Sequence, residues 1–319
     1  MRTGMHLARP ALASLLLAMT NACFVPPAQA AMNCSTTVSS LAYGIVSVIN
    51  NTPVDSTATI TISCNFGNNA PQNVRLCVSV QDPAIAMNSG ANALNQRLYK
   101  DAARSQLFGS FVSTPNGGVQ LDLAGRRNFS ATVTLYGRIP SAQFSPPGAY
   151  SVSMPATNLR IFGNESTSLS CQQMANGGAG YSGNLTLIAT ASVSAECRVS
   201  ASPLNFGTSG TLATNVDGSA TLSLTCTSST PYSIALNGGL TGASDPTQRK
   251  MTRNAHQITY GLYRDPGRTQ SWGSTVGSNT VQGTGTGGQS DIGVFGRVAP
   301  QAAPAPGIYS DTITATVTY

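Results

Sequence analysis

The sequence predicts an all-β protein made of two tandem immunoglobulin-like sandwich domains, the second one strand short. Three observations carry this reading. Apolar and polar residues alternate with period two in 59–64 and again in 220–226, the signature of half-buried strands. The segment LYKDAARSQLFGS from Leu98 returns as LYRDPGRTQSWGS from Leu262. The first copy ends in two alternating segments, whereas the second ends in one.

The chain opens with a basic start at Arg2 and Arg9, then an apolar run over 11–19, followed by Ala28-Gln29-Ala30. This order reads as a secretory leader over 1–30, too short and wrongly flanked for a membrane span. The mature chain then starts near Ala31, with one domain over 31–193 and the next over 194–319. No later stretch approaches the roughly 20 apolar residues that cross a bilayer. Losing the two leader arginines lowers the formal charge from +6 to +4. Charged residues are 9% of the chain, so the basic balance reflects scarcity of charge. The densest basic spots, Arg126-Arg127 and Arg249-Lys250, read as solvated turns, and nothing forms a nucleic-acid footprint.

Cys23 falls in the leader, which leaves Cys34, Cys64, Cys77, Cys171, Cys197 and Cys226. An even count in an exported chain reads as a disulfide framework. Cys34 and Cys64 are 30 apart and Cys197 and Cys226 are 29 apart, so the repeat pairs each couple and leaves Cys77 with Cys171. Each bridge is expected to contribute about 3–4 kcal/mol.

In chain order, the first copy offers 59–64, then Val74, Leu76, Val78 and Val80, then 132–136, then Tyr150, Val152 and Met154. Leu185, Leu187, Ala189, Ala191 and Val193 form one more alternating strand after an insertion. The second copy runs through 220–226, Ile234 and Leu236, and closes with Tyr309, Asp311, Ile313, Ala315, Val317 and Tyr319 on one face of a long strand. Gly, Asn, Pro and Ser clusters separate the runs, and no sustained 3.6-residue stripe announces a helix. A sandwich missing a strand exposes an apolar groove and an unpaired edge, a template for a strand from another chain. The edge is expected along Tyr309, Ile313, Ala315, Val317 and Tyr319. Cys34 lies so close to the mature start that little remains to donate in return, which places the subunit at one end of a fibre.

The second copy resembles a spore coat protein U domain through Leu204-Asn205-Phe206-Gly207, Ile258-Thr259-Tyr260, Trp272-Gly273, Phe295-Gly296-Arg297 and Pro306-Gly307-Ile308-Tyr309-Ser310-Asp311. The first copy matches through Tyr43-Gly44, Leu98-Tyr99, Tyr136-Gly137-Arg138 and Gly148-Ala149-Tyr150. Two-domain chains of this kind resemble the tip adhesins of archaic, Csu-type chaperone–usher pili. The resemblance implies a pilin-like second domain completed by an adjacent pilin subunit and an adhesive first domain. It also implies passage by a periplasmic chaperone and an outer-membrane usher, a place at the fimbrium tip on the cell surface, and biofilm formation on abiotic or host surfaces. The alternatives are a structural coat or surface-matrix protein and a carbohydrate-binding module.

Catalysis has no constellation to work with. His256 is the one histidine past the leader and stands in a polar stretch; Asp55, Asp82, Asp101, Asp122 and Glu165 are scattered. No catalytic residue, metal ligand or cofactor is expected. Gly283, Gly285 and Gly288 match a GxGxxG pattern, but in an all-β context they read as a hairpin or a loop. Adhesion calls for apolar loops. Ile45 and Val46 stand where the second copy has Thr208 and Ser209; with Ile85, Met87 and Phe144 they are the candidate surface-binding residues.

Overall fold

The computed structural model describes residues 32–67 and 71–319; the leader over 1–30 lies outside the described residues. Almost every element is a strand, and the helical exceptions are one short turn at Cys171–Gln173 and the five residues after it. No helix among the described residues is long and apolar enough to cross a membrane.

Two separate cores define two sandwiches. In the first, the sheet order is Asn33–Val38, Val54–Asn65, Asn128–Ile139 and Arg97–Tyr99. Within Val54–Asn65 the alternation turns Ala58, Ile60, Ile62 and Cys64 inward, while Thr57, Thr59, Thr61 and Ser63 face water. Period-two geometry makes this the only way one face can be dry. Opposite lies a second layer whose strands include Leu41–Val46, Ile188–Val193, Gly148–Ser153 and Asn73–Val80. Leu41, Ile60, Leu76, Tyr150 and Leu187 meet between the layers, each almost fully buried.

The second sandwich repeats the plan with Cys197–Ala201, Val216–Cys226, Gln289–Val298, His256–Tyr263 and Arg249–Arg253 in one sheet. Three strands, Val281–Thr284, Pro231–Leu236 and Ala315–Thr318, make up the other. Trp272, Leu224, Ile234 and Leu262 fill its core. Gly283 lies in Val281–Thr284, and Gly285 and Gly288 lie in the loop that carries the chain to Gln289–Val298 in the other sheet, so the GxGxxG match is a loop between strands rather than the strand-to-helix turn the motif needs.

The repeated sequence words are repeated bonds. Asp101 accepts from the amides of Ser105 and Gln106; Asp265 does the same with Thr269 and Gln270. Arg138 clamps Asp55 with two nitrogens at 2.7 and 2.9 Å, and Arg104 adds a third at 3.2 Å. Arg297 and Arg268 hold Asp217 in the same way. The tyrosine of each Pro-Gly-X-Tyr-Ser word donates its hydroxyl four residues back: Tyr150 to the Pro146 carbonyl and Tyr309 to that of Ala305, both at 2.7 Å. This is the corner bond that starts the late strand of an immunoglobulin-like sandwich.

The disulfides join Cys34 to Cys64, Cys77 to Cys171 and Cys197 to Cys226. The outer two tie paired neighbours, Cys34↔Cys64 and Cys197↔Cys226, at equivalent places. The middle one anchors the insertion of the first domain. Around it Phe111, Phe162 and Met174 form a small satellite core.

Candidate functional site

One difference between the domains creates a site. In the first, Gly148–Ser153 is hydrogen-bonded on both edges. Ser151 pairs with Asn88 on one side, and Ile188–Val193 runs antiparallel on the other, from Gly148↔Val193 to Ser153↔Ile188. That same strand pairs in parallel with Leu41–Val46 and drops Ala189, Ala191 and Val193 into the core. In the second domain the first of these edges is kept: Ser310 pairs with Thr252, the positions that match Ser151 and Asn88 in the repeat. The other edge has no strand. Among the described residues, none accepts from or donates to the backbone of Tyr309, Asp311 or Ile313. The strand expected over 309–319 is regular only at Ala315–Thr318, where Pro231–Leu236 pairs with it. Period two aims the amide and carbonyl of alternate residues at opposite edges; without a neighbour half of them lose their partners and the ladder stops.

The segment across the gap is equally bare. Leu41–Val46 is a strand, but its counterpart around Leu204-Asn205-Phe206-Gly207 belongs to none. Leu41 and Tyr43 are 0% and 6% exposed, whereas Leu204 and Phe206 are only half-buried. Tyr150 is 1% exposed, and Tyr309 half-buried. Between the two bare segments lies a groove with a cavity volume of about 390 Å³, floored by Leu222, Leu236, Tyr260 and Leu262 and walled by Leu204 and Ile313. Tyr309 and Ala315 of the expected edge line it too. Val317 is half-buried further along the same face, and Tyr319 is 56% exposed.

The floor is uncharged except at one end. There Asp311 accepts from the Tyr260 hydroxyl at 2.7 Å and from the Leu240 amide at 2.8 Å. Burial and the Asp311 carboxylate push the Tyr260 phenol far above its ordinary value. Arg249, read from sequence as part of a solvated basic turn, is instead 1% exposed. Its guanidinium donates to the carbonyls of Leu236, Asn237, Pro246 and Trp272, and burial lowers its pKa. The sequence signal for it was weak, because a lone arginine beside a lysine looks the same in a turn or in a core.

The candidate surface residues of the first domain divide. Val46 and Met87 are 2% and 0% exposed; their strands turn them inward, so they present nothing to a surface. Ile85 is half-buried against the core. Ile45 is 74% and Phe144 61% exposed. Phe144 and the segment after Ile45 lie toward the second domain. Ser47, two residues after Ile45, bonds Glu196, Asn50 meets Arg198, and the Phe144 ring rests on Gly287, where a Cβ would come within 2.4 Å of it. Gly287 has φ +84°, so both its backbone and its neighbour favour glycine. His256 is exposed at a hairpin, and among the described residues no cluster of His, Cys, Asp or Glu could hold a metal.

Known proteins give the groove a context. Residues 19–157 and 184–316 match the model of the Spore Coat Protein U domain. Protein U of Myxococcus xanthus is 35% identical over 130 residues, which span 36% of this chain and 71% of that protein. Among solved structures, one chain of the CsuC–CsuE chaperone–tip adhesion subunit pre-assembly complex, from archaic chaperone–usher Csu pili of Acinetobacter baumannii, shares the fold. It aligns at a TM-score of 0.52 and 19% identity, over 90% of this chain and 100% of that one.

Proposed function

The chain belongs to the Spore Coat Protein U domain family, and from that premise we propose that it is the tip adhesin of a chaperone–usher fimbria, joined to the fibre through the groove of its second domain. The observation that carries this is the asymmetry of the two domains. The first is closed by its own Ile188–Val193; the second has the same groove without an occupant strand among the described residues. One closed and one open domain give the subunit a single acceptor site, as the last member of a head-to-tail polymer needs. Main-chain bonds along 309–313 would supply affinity there, and alternate apolar side chains in the groove would supply register. A periplasmic chaperone would cover the same edge before assembly, and an outer-membrane usher would exchange it for the adjacent subunit. The first domain then points away from the fibre and meets the abiotic or host surface, which makes attachment and biofilm formation its work. Among the described residues neither domain brings together a constellation suited to catalysis, and we read the chain as no enzyme.

The reading is tested by exporting the full chain without a chaperone, with and without a strand copied from residues 181–193 joined after Tyr319 by a flexible linker. The extended chain is expected to be a soluble monomer by size exclusion, and the unextended one to aggregate or degrade. Equal monomer yields would contradict the reading.

A further inference from the structure

The open domain carries a device that the closed one lacks. Counting back from the shared Leu-Tyr word, Tyr260 stands where the first domain has Gln96, and Arg249 where it has Ile85. Counting from the shared corner tyrosines, Asp311 stands where it has Val152. Three positions around one strand are thus ionisable in the open domain and neutral in the closed one. A loop has also grown beside them. Nine positions separate Leu236, the last residue of its strand, from Asp245, whereas two separate the corresponding Val80 from Asp82.

These differences form one connected structure. Arg249 holds both roots of the longer loop, through the Asn237 and Pro246 carbonyls, and fixes them to the core at the Trp272 carbonyl. From the loop, the Asn237 amide donates to the Thr314 carbonyl, the Asn237 side-chain oxygen accepts from the Thr314 amide, and the Leu240 amide donates to Asp311. Tyr260 takes the other oxygen of Asp311. Gly239, with φ +75°, packs so close that a Cβ would sit 2.1 Å from the Asp311 carboxylate. All of these ties leave the groove-side edge of the strand free.

We propose that Asp311, Tyr260 and the Arg249-rooted loop 237–246 are a clamp that holds the late strand of the open domain in place until a donated strand arrives. The proposal rests on the acceptor reading of the groove. A strand with one free edge peels away unless something else fixes it, and ordering it at the moment of binding would cost affinity. The closed domain has no such need, because Ile188–Val193 holds Gly148–Ser153 along its whole length; there, an aliphatic Val152 packs in the corresponding place. Asp311, Tyr260 and Arg249 are therefore positioning residues, and their value is greatest in the empty state.

The test uses thermal unfolding of the full chain followed by Trp272 fluorescence. Trp272 is the one tryptophan of the sequence and is 0% exposed in the second core, so it reports that domain alone. Asp311→Val, which copies Val152, and the milder Tyr260→Phe are each measured in the chain as it is and in the chain extended by a copy of residues 181–193. The expected result is a Tm loss of roughly 5 °C or more for Asp311→Val in the open chain, a smaller loss for Tyr260→Phe, and little or none for either in the extended one. A loss of the same size in both forms would make the cluster an ordinary structural element and overturn the clamp. If the extension fails to raise the Tm of the unsubstituted chain, the acceptor reading falls first, and the clamp loses its purpose with it.

Discussion

Tyr150 and Tyr309 make the same 2.7 Å hydrogen bond four residues back along the chain, yet Tyr150 is sealed in a core and Tyr309 stands half in solvent. The same residue word starts the same strand in both domains. What separates them is the neighbour: Ala191 lies opposite Tyr150, and among the described residues no strand lies beside Tyr309. Tyr150→Ala should accordingly cost the first domain about 3–5 kcal/mol, as large-to-small changes of buried aromatics do. Tyr309→Ala should cost the second domain clearly less. Urea unfolding reads both, by far-UV circular dichroism for the first and by Trp272 fluorescence for the second.

The disulfides should separate by domain. Replacing Cys197 and Cys226 by alanine is expected to remove about 3 kcal/mol from the Trp272 transition, given a loop of 29 residues. Replacing Cys77 and Cys171 should leave that transition alone and instead loosen residues 165–180, seen as faster hydrogen exchange there. A shift of the Trp272 signal in the second variant would mean that the two cores are not independent.

Acid should weaken each domain through its aspartate clamp. Hydrogen bonding to Arg297 holds the Asp217 carboxyl below the usual carboxylate range, and Arg138 does the same for Asp55. A carboxyl lowered in the folded state stabilises fully above its unfolded value near 3.9 and loses that contribution as pH falls through the folded value. Asp217→Asn should therefore weaken the second domain near neutral pH and flatten its loss of stability below about pH 4. Both partners are partly exposed, so the effect should stay within about 1 kcal/mol. Urea midpoints of Trp272 fluorescence between pH 2.5 and 7 check this.

Attachment should separate Ile45 from Phe144. Ile45 keeps an exposed side chain, and Ile45→Ser is expected to lower adhesion to polystyrene while leaving the Trp272 transition unchanged. Phe144 lies on Gly287 at the joint between domains. Phe144→Ala is expected to leave adhesion intact and to speed proteolysis between 193 and 197. Unchanged adhesion in the Ile45 variant would remove that residue from the binding surface.

Much of this was legible in the sequence, for physical reasons. Period-two alternation must appear wherever one face of a strand is dry, so residues such as Ile60 and Leu224 announced themselves. Nearly equal cysteine spacings, 30 and 29 residues, in two copies of one fold fixed the pairing. The missing strand showed as a difference in length between the two endings. Arg249 was illegible, because nothing local says whether a guanidinium will find four carbonyls in a core or water in a turn. Val46 and Met87 misled for a related reason: an apolar residue at the end of a strand looks the same from either side of the sheet. The regular strand expected over 309–319 shrank to Ala315–Thr318 because pairing depends on a partner as well as on alternation.

In the proposed function the groove beside Tyr309, Asp311 and Ile313 receives a strand. Strand binding there is read by hydrogen exchange of the full chain with and without an excess of a free peptide of the sequence YSGNLTLIATASV, residues 181–193 of the first domain. The peptide is expected to slow exchange at 309–313 and at 203–207, and nowhere in the first domain. Unchanged exchange at these two segments under saturating peptide would contradict it.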